Sequence, residues 1–475
     1  MIFKIIVIAI YVSIIIGVGV KGLRGTKSFS DFFLGGGKIG PWMTAFTYGT
    51  AYFSAVLFIG FAGKIGWGFG YSGLWIALGN ALIGVLGVWW LIGPRVKKMS
   101  TDYGIHTMPE FFEKRYSSNF LKLFASISIF IFFVPYSAAV FMGLSYLFQS
   151  TFGIDYVFAL LFMGFFTALY LVLGGYKSMS MIDVVFGIIM TVGVIILLYT
   201  TINKAGGLAN ITTTLSAIEP KLTEVVGPPG WWPLLSLVIL TSVAPFAMPQ
   251  LIQKFYAIKD NRSIKIGMAA STIFALLIGG IGYFVGSTTR FFLTPENSPA
   301  AFDNGAPVFD KLMPELLVNI IPEALSIIIL LLILSASMST LAALVLISSS
   351  SVVKDFYAGF INKETSDKKL TALMRIFSAF FVLLSVILAY FKPSTIVSIL
   401  GISWGAIGSV FLGPFIWGLF TKNANRIAAV TSSVSALVIC LYLYFTGTPS
   451  PQAGSIGMII SLLAVPVLSF IIPKK

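Results

Sequence analysis

Long apolar stretches dominate this 475-residue chain. A membrane-spanning helix needs about 20 predominantly apolar residues, and we find thirteen such stretches, each bounded by charges, by turns with Pro or Gly, or by polar loops. They cover approximately residues 2–20, 41–65, 71–93, 120–148, 155–174, 181–203, 231–257, 264–290, 319–353, 370–391, 394–420, 425–446 and 454–472. Because backbone groups inside lipid must be satisfied within the chain, these stretches predict membrane-crossing helices.

The amount of charge supports this class. Hydrophobic residues make up 57% of the chain and charged residues 10%, whereas soluble domains carry about 25% charged residues. A soluble globular protein is therefore excluded, and we expect an all-α, multi-pass protein embedded in the lipid bilayer of the cell membrane. The first apolar stretch ends at Lys21 with no small-residue cleavage pattern, so we interpret it as a helix and not as a signal peptide.

The positive charges predict the orientation of the chain. There are 31 Lys and Arg against 17 Asp and Glu. With the N-terminus outside, we count 24 cations in cytoplasmic segments and 7 in outer ones, as the positive-inside rule requires. The 24 include Lys254 and, near the termini, Lys27, Lys38, Lys474 and Lys475. The basic excess is thus a topological signal, with the C-terminus in the cytoplasm, and we expect no nucleic-acid partner.

Several function classes lack the residues they need. The chain has no G-x-x-x-x-G-K-[ST] loop for ATP, and its one histidine, His106, supplies neither a metal cluster nor a catalytic base. Its one cysteine, Cys440, is read as a packing residue, and no potassium-type carbonyl filter is present. We therefore expect no enzyme. Secondary transport is favoured, with a transporter-like sensor or an uncoupled channel as the alternatives.

Two apolar stretches carry clusters of hydroxyl groups. In the middle of the second stretch these residues are Thr44, Thr47, Thr50 and Ser54. Small and β-branched residues there weaken a continuous helix, and an unwound turn would expose carbonyl oxygens. In the ninth stretch, Ser339 and Thr340 follow Ala336 by one turn. Neutral oxygens of this kind suit a hard monovalent cation. Ordinary helix packing explains either segment equally well when it is taken alone.

Asp183 is a carboxylate set into an apolar stretch. It could lie at the membrane edge, where the N-terminus of a helix favours a negative charge. It could instead face the interior as a second cation ligand or as a gating residue, since a charge inside a membrane is costly and usually functional. The scarcity of other buried carboxylates argues against a proton relay.

These residues lie within motifs that resemble those of the sodium:solute symporter family, with the bacterial proline and pantothenate transporters as the most similar branch. The motifs are spread over nearly the whole chain: 31–37 (DFFLGGG), 40–42 (GPW), 132–138 (FFVPYSA), 174–176 (GGY), 248–255 (MPQLIQKF) and 339–340 (ST). The resemblance implies a LeuT-like core of two inverted five-helix repeats. The implied units are residues 1–40 with the leading helix, 41–203 and 204–420 as the repeats, and 421–475 with two trailing helices.

The resemblance also implies a sodium site. By position, its ligands would be the backbone oxygens of Thr50, Phe53 and Ala336 and the hydroxyls of Ser339 and Thr340. Family members that bind two sodium ions pair the aspartate at the position of Asp183 with two serines after the Ser-Thr pair. Those positions hold Ala342 and Ala343 here, so we expect one Na⁺ per transport cycle.

The implied solute site lies between the two interrupted core helices. Its candidate residues are Tyr52, Leu57, Trp75, Tyr136, Phe246, Gln250 and Trp404. The chain departs from the proline branch at Tyr52, where an Asp is expected, and at Thr241 and Pro245, where aromatics are expected. Leu57 stands where sugar transporters of the family have Gln. We therefore favour a small amino acid or organic acid over a sugar or polyol, carried by a monomer.

Overall fold

The protein is described from a computed structural model over residues 2–25, 28–37, 39–173 and 175–472. The predictions that involve Lys27, Lys38, Gly174, Lys474 and Lys475 lie outside the described residues. Within them the chain is almost wholly helical. The one pair of strands among the described residues is a short antiparallel hairpin of β1 (Phe302–Asp303) and β2 (Ala306–Pro307).

The described residues up to Lys204 form ten α-helices. They are α1 (Ile2–Gly25), α2 (Phe29–Leu34), α3 (Pro41–Tyr52), α4 (Ala62–Phe69), α5 (Leu74–Gly79), α6 (Gly93–Tyr103), α7 (Met108–Tyr116), α8 (Asn119–Phe152), α9 (Tyr156–Leu173) and α10 (Tyr176–Lys204). There are also two π-helical segments among these residues. Val56–Phe61 leads into α4, and Asn80–Ile92 joins α5 to α6. Between α4 and α5 the chain turns at Gly70, whose φ of 56° suits glycine.

The second part forms eleven more. They are α11 (Leu208–Ile218), α12 (Trp231–Val243), α13 (Pro249–Ala257), α14 (Asn261–Ser287), α15 (Thr289–Phe292), α16 (Phe309–Ile320), α17 (Glu323–Ser350), α18 (Asp367–Phe391), α19 (Ile396–Phe420), α20 (Arg426–Phe445) and α21 (Ser450–Ile471). A π-helical segment, Ser351–Ile361, extends α17. Short 3₁₀ turns lie at Pro220–Thr223, Ala244–Ala247 and Pro299–Ala301.

Ten helical stretches of the described residues are long and apolar enough to cross a membrane. They are Val56–Tyr103, Asn119–Phe152, Tyr176–Lys204, Trp231–Ala257, Asn261–Phe292, Leu325–Ile361, Asp367–Phe391, Ile396–Phe420, Arg426–Phe445 and Ser450–Ile471. The prediction of an all-helical, multi-pass membrane protein is confirmed. Three of the thirteen expected crossings fall outside this set. Two match the shorter apolar helices Ile6–Val18 and Tyr156–Leu169, and the third belongs to the stretch that turns at Gly70.

Two buried helices are interrupted. Helix α3 ends at Tyr52, the backbone of Phe53 is extended (φ −110°, ψ 122°), and helical structure resumes at Val56. Helix α12 ends at Val243 and continues through a 3₁₀ turn to Met248, which is also extended (φ −80°, ψ 114°), before α13 begins. The expected interruption of the second apolar stretch is thus present. Interrupted helices are tolerated in a membrane protein where they face other protein segments or a cavity.

The two interrupted helices are tied together by backbone hydrogen bonds. Just before α3, the amide of Ile39 donates to the carbonyl of Ala257 at 3.1 Å, and the amide of Lys259 donates to the carbonyl of Ile39 at 3.0 Å. The end of α13 and the start of α3 therefore form a short parallel bridge. Around them, α10, α14 and α17 pack against α3 and enclose its interrupted end.

Close backbone contact joins α4 to α14. A Cβ atom added to Gly66 would lie 2.0 Å from the backbone of Gly286, so only glycine fits. Two residues along the same helix, a Cβ atom at Gly68 would meet no atom within 4 Å. Small residues at such crossings let membrane helices approach closely enough to pack backbone on backbone.

We expect Gly66→Ala to lower the stability of the protein by about 1 to 3 kcal/mol, the usual cost of overpacking. Gly68→Ala is the matched control, and it should be neutral or stabilising because alanine favours helix over glycine by about 1 kcal/mol. Thermal unfolding of the purified variants in detergent measures both. Equal melting temperatures for the two variants would contradict the close crossing.

An ionic cluster joins α7 to the extension of α17. One carboxylate oxygen of Glu110 accepts hydrogen bonds from the amides of His106 (2.8 Å) and Thr107 (3.2 Å), while the other lies 3.0 Å from Lys354 Nζ. The Thr107 hydroxyl in turn donates to Asp355 at 2.6 Å. Burial acts to raise the pKa of Glu110, but the Lys354 ammonium and the His106 amide outweigh it and hold that pKa below its usual value.

A carboxyl whose pKa is lowered by folding stabilises the protein above its unfolded pKa, and it loses that effect as the pH falls through the folded pKa. Glu110→Gln should therefore cost about 1 to 3 kcal/mol at pH 7, and the difference from the unmodified protein should shrink towards pH 4. Glu364→Gln, in an exposed loop, is the control. Thermal unfolding at both pH values provides the measurement, and a pH-independent difference would contradict the ionic role.

Candidate functional site

Helix α17 presents its hydroxyls to the interrupted end of α3. Thr340 Oγ1 lies within hydrogen-bonding distance of three carbonyl oxygens, those of Ala336 (3.1 Å), Ala51 (3.2 Å) and Thr50 (3.4 Å). Ser339 Oγ lies 2.8 Å from Thr50 Oγ1. We call Thr50, Ala51, Ala336, Ser339 and Thr340 the oxygen cluster. All five residues are buried, so their oxygens face one another away from bulk solvent.

The interruption of α3 is what makes these oxygens available. A continuous helix would direct the carbonyls of its last turn to amides four residues ahead. Here the Thr340 hydroxyl, which has one hydrogen to donate, lies within hydrogen-bonding distance of the carbonyls of Thr50 and Ala51. Beyond the break, the amide of Ala55 donates to Ser337 Oγ at 3.0 Å, which satisfies a backbone group that the break exposes. Side chains of α17 therefore stabilise the interruption of α3.

Four of the five predicted sodium ligands lie in the oxygen cluster, namely Thr50, Ala336, Ser339 and Thr340. The fifth, Phe53, lies at the break itself and is buried. Sequence reasoning missed Ala51, because a carbonyl ligand requires no particular side chain. Hydroxyl and carbonyl oxygens can all present lone pairs to a cation, and hard oxygen donors of this type suit an alkali or alkaline-earth cation.

Asp183 is fully buried in α10 and lies beside the oxygen cluster. The hydroxyls of Thr47, Thr50 and Ser339 are close enough to interact with its carboxylate. Among the described residues, however, none donates a well-aligned hydrogen bond to either carboxylate oxygen of Asp183. Asp183 therefore faces the interior of the protein and neither lipid nor solvent.

The charge count places Lys254 in a cytoplasmic segment, but the structure shows it inside the apolar stretch Trp231–Ala257. It is fully buried in α13, and its ammonium lies 5.0 Å from the centre of the Tyr176 ring. It also interacts electrostatically with Asp183. A count of charges at the ends of apolar stretches could not reveal this, because α13 remains buried beyond Lys254 up to Ala257.

An aromatic cavity lies on the other side of the break. The ring of Trp404 is 6.0 Å from Tyr52 and 5.7 Å from Tyr136, measured between centroids, and Tyr52 is 4.7 Å from Phe53. The cavity measures about 30 Å³, which holds about two water molecules. Its lining residues are Tyr52, Phe53, Ser54, Val56, Leu57, Phe61, Asn80, Tyr136, Thr241, Tyr283, Leu400 and Trp404.

Four of the seven predicted solute-binding residues line this cavity: Tyr52, Leu57, Tyr136 and Trp404. The structure places the other three elsewhere. Trp75 is 48% exposed, and its indole donates to the carbonyl of Val225 at 3.1 Å. The ring of Phe246 faces Gly87. Gln250 is buried in α13, with no hydrogen-bond partner for its amide among the described residues.

Sequence reasoning missed Asn80, Tyr283 and Leu400 as lining residues. Asn80 offered a signal, because it is an amide within an apolar stretch. Its side-chain oxygen accepts a hydrogen bond from Ser242 at 3.1 Å. Leu400 has no such signal, since a leucine in an apolar helix can face lipid, a neighbouring helix or a cavity.

The Tyr52 hydroxyl links the two interrupted helices. It donates to the carbonyl of Thr241 at 2.5 Å. In a continuous helix that carbonyl would accept from residue 245, but residue 245 is proline and has no amide hydrogen. Tyr52 therefore satisfies the carbonyl that Pro245 leaves without a partner.

Two interrupted helices, a buried oxygen cluster at one of them and an adjoining aromatic cavity are the features of a cation-coupled secondary transporter. Residues 32–435 match the model of the sodium:solute symporter family, and the chain belongs to that family. It is a membrane transporter and not an enzyme, and Na⁺ is its coupling ion.

Relatives with established names are similar along nearly the whole chain. The osmoregulated proline transporter OpuE of Bacillus subtilis is 29% identical over 98% of this chain and 94% of its own length. The high-affinity proline transporter PutP of the same organism is 28% identical over 88% of this chain and 87% of its own. The predicted similarity to the proline-type branch is thus confirmed.

Solved structures show the fold. A Na⁺-coupled sialic acid symporter superposes with a TM-score of 0.82 at 19% identity, over 99% of this chain and 98% of that one. The transporter Mhp1, of the nucleobase-cation-symport-1 family, superposes with a TM-score of 0.56 at 12% identity, over 91% and 93% of the two chains. The chain therefore has the LeuT-like transporter fold.

Replacing Tyr52 with Phe should leave the buried Thr241 carbonyl without a donor and cost about 1 to 3 kcal/mol of stability. The control is Tyr71→Phe, which removes an exposed hydrogen bond of 2.9 Å to Thr212 and should cost less than about 0.5 kcal/mol. Thermal unfolding distinguishes the two. A Tyr52→Phe variant as stable as the control would show that the carbonyl finds another partner.

Proposed function

We propose that the protein imports a small amino acid or organic acid together with one Na⁺ per cycle, by alternating access. The observation that carries this proposal is the oxygen cluster, which joins the carbonyls at the end of α3 to Ser339 and Thr340 of α17. An ion at this point would bridge two different helices. Its binding and release would therefore favour different arrangements of α3 and α17, as coupling requires.

The proposed topology has thirteen crossings, with the N-terminus outside and the C-terminus in the cytoplasm. Helix α1, with 24 residues, and helix α9, with 18, would each add a crossing to the ten long stretches. The turn at Gly70 would divide the stretch Val56–Tyr103 into two arms. Residues 41–203 and 204–420 would then form the two inverted repeats, each beginning near an interrupted helix.

One sodium ion provides enough driving force for strong accumulation. Moving one charge across 100 mV releases ~2.3 kcal/mol, and a tenfold sodium gradient adds ~1.4 kcal/mol. The total of ~3.7 kcal/mol corresponds to roughly 500-fold accumulation of a neutral solute. Neutral ligands suit the release of the ion, because Na⁺ that is not bound directly by a carboxylate dissociates more readily into a sodium-poor interior.

The character of the aromatic cavity supports the proposed solute class. None of its lining residues carries a formal charge, and the rings of Tyr52, Tyr136 and Trp404 present aromatic faces or edges to it. Aromatic faces attract ammonium groups. Two of its polar groups are already engaged, since Tyr52 donates to Thr241 and Asn80 accepts from Ser242. A sugar or polyol would find few free partners for its hydroxyls, and each unpaired one costs about 1 to 3 kcal/mol.

The relatives provide a first candidate, because several are named as proline transporters. The cavity is smaller than proline, so any solute of this class requires the lining to move apart when it binds. We propose that Tyr52, Leu57, Tyr136 and Trp404 contact the solute. The monomer would be the working unit, since both interrupted helices and the cavity belong to one chain.

The test is solute uptake by proteoliposomes that contain the purified protein, with and without an inward sodium gradient. Proline, other small amino acids, organic acids and sugars are compared. Ser339→Ala and Thr340→Ala should each raise the sodium concentration for half-maximal uptake by about tenfold, since each removes one ligand oxygen. Ser326→Ala, near the other end of α17 and outside the cluster, should leave it unchanged.

Uptake that is equal with and without sodium, in the unmodified protein and in both variants, would overturn the proposal. Ionic current without solute uptake would point to an uncoupled channel. Uptake of sugars alone would reject the solute class while keeping the sodium site.

A further inference from the structure

Two opposite charges are buried together beside the oxygen cluster. Asp183 and Lys254 are both 0% exposed, and they attract one another electrostatically. Lys254 Nζ and both carboxylate oxygens of Asp183 lack a hydrogen bond to any described residue. The Lys254 ammonium also lies over the ring of Tyr176, two helical turns before Asp183 on the same helix. It therefore faces the side of α10 that carries Asp183.

A buried carboxylate needs a compensating positive charge, because the loss of its hydration is otherwise not recovered. Close to Asp183 the described side chains are neutral hydroxyls, those of Thr47, Thr50 and Ser339. One turn beyond Ser339, α17 continues with Ala342 and Ala343, which are buried and offer no side-chain oxygen. The neighbouring turn of α17 therefore adds no side-chain ligand for a second metal ion. Lys254, by contrast, supplies a positive charge at the end of a flexible side chain.

We propose that the Lys254 ammonium is a built-in counter-ion of Asp183, takes the place of a second coupling cation, and so limits the protein to one Na⁺ per cycle. This inference rests on the proposed function, because it concerns the charge next to the same sodium site. The pair is nearly neutral as a whole, and the oxygen cluster therefore experiences only the small difference between a nearby negative and a nearby positive charge.

The proposal predicts effects of opposite sign from the two partners. Without Lys254, the uncompensated carboxylate attracts cations to the oxygen cluster and to itself. Without the charge of Asp183, the uncompensated ammonium repels them. A pair that only supports the packing of α10 and α13 would behave differently, since the loss of either partner would then weaken sodium binding.

The experiment measures the binding of radioactive Na⁺ to the purified full-length protein and the sodium dependence of solute uptake in proteoliposomes. Lys254→Met should lower the half-saturating sodium concentration about tenfold, the order of effect of one unit charge acting through the protein interior, and raise the Hill coefficient from one towards two. Asp183→Asn should raise the half-saturating concentration about tenfold at a Hill coefficient of one. Lys259→Met, which removes an exposed charge just beyond α13, is the control.

The double variant Asp183→Asn/Lys254→Met should return to within about threefold of the unmodified protein, because both charges are gone. If Lys254→Met does not fold, the comparison of Asp183→Asn with the double variant remains decisive, since the second substitution should strengthen sodium binding. Lys254→Arg should keep the single-ion behaviour.

Sodium binding that weakens in both single variants, or a double variant no better than Asp183→Asn, would overturn the inference. Its failure is distinguishable from failure of the proposed function. If Ser339→Ala weakens sodium activation while the two charge variants shift in the same direction, the sodium site stands and the counter-ion role falls. If Ser339→Ala has no effect, the sodium site itself falls.

Discussion

The interruption of α3 after Tyr52 is the constraint on which the rest of the structure depends. A broken helix inside a membrane leaves backbone groups that water cannot reach, and each must find a partner within the protein. Here α17 provides those partners, since the Thr340 hydroxyl lies within hydrogen-bonding distance of the carbonyls of Thr50 and Ala51, and Ser337 accepts from the amide of Ala55. The groups that stabilise the break are thus the groups that surround the proposed ion. An ion there would compete with Thr340 for the same carbonyls, which ties its binding to the relative position of two helices.

The second interruption depends on the first. Pro245 removes the amide that the Thr241 carbonyl would use, and the hydroxyl of Tyr52, the last residue of α3, replaces it. A backbone bridge between Ile39 and the end of α13 ties the same two helices at their other ends. The interrupted helices are therefore held at two points, with the aromatic cavity at one of them. A solute that enters this cavity acts on the hydrogen bond that joins both breaks.

Much of this arrangement could be predicted from the sequence, and the exceptions have physical reasons. Hydroxyls within apolar stretches are conspicuous, so Thr50, Ser339 and Thr340 were found, whereas Ala51 contributes only a carbonyl and was not. Aromatic residues are ambiguous in a membrane, because they also favour its interfaces. The structure shows Tyr52, Tyr136 and Trp404 lining the cavity and Trp75 half-exposed away from it. The burial of Lys254 could not be predicted, because a count of charges cannot show that a lysine near the end of an apolar stretch faces the protein interior.

The central claim is that Na⁺ binds at the oxygen cluster, and the most direct test is equilibrium binding of Na⁺ to the purified protein without solute. Titration with radioactive Na⁺ should show saturable binding to a single site. An excess of unlabelled Na⁺ should displace the radioactive ion, and an equal excess of K⁺ should not. The double variant Ser339→Ala/Thr340→Ala should lose this saturable binding. Saturable binding that persists in this double variant, or none in the unmodified protein, would contradict the account.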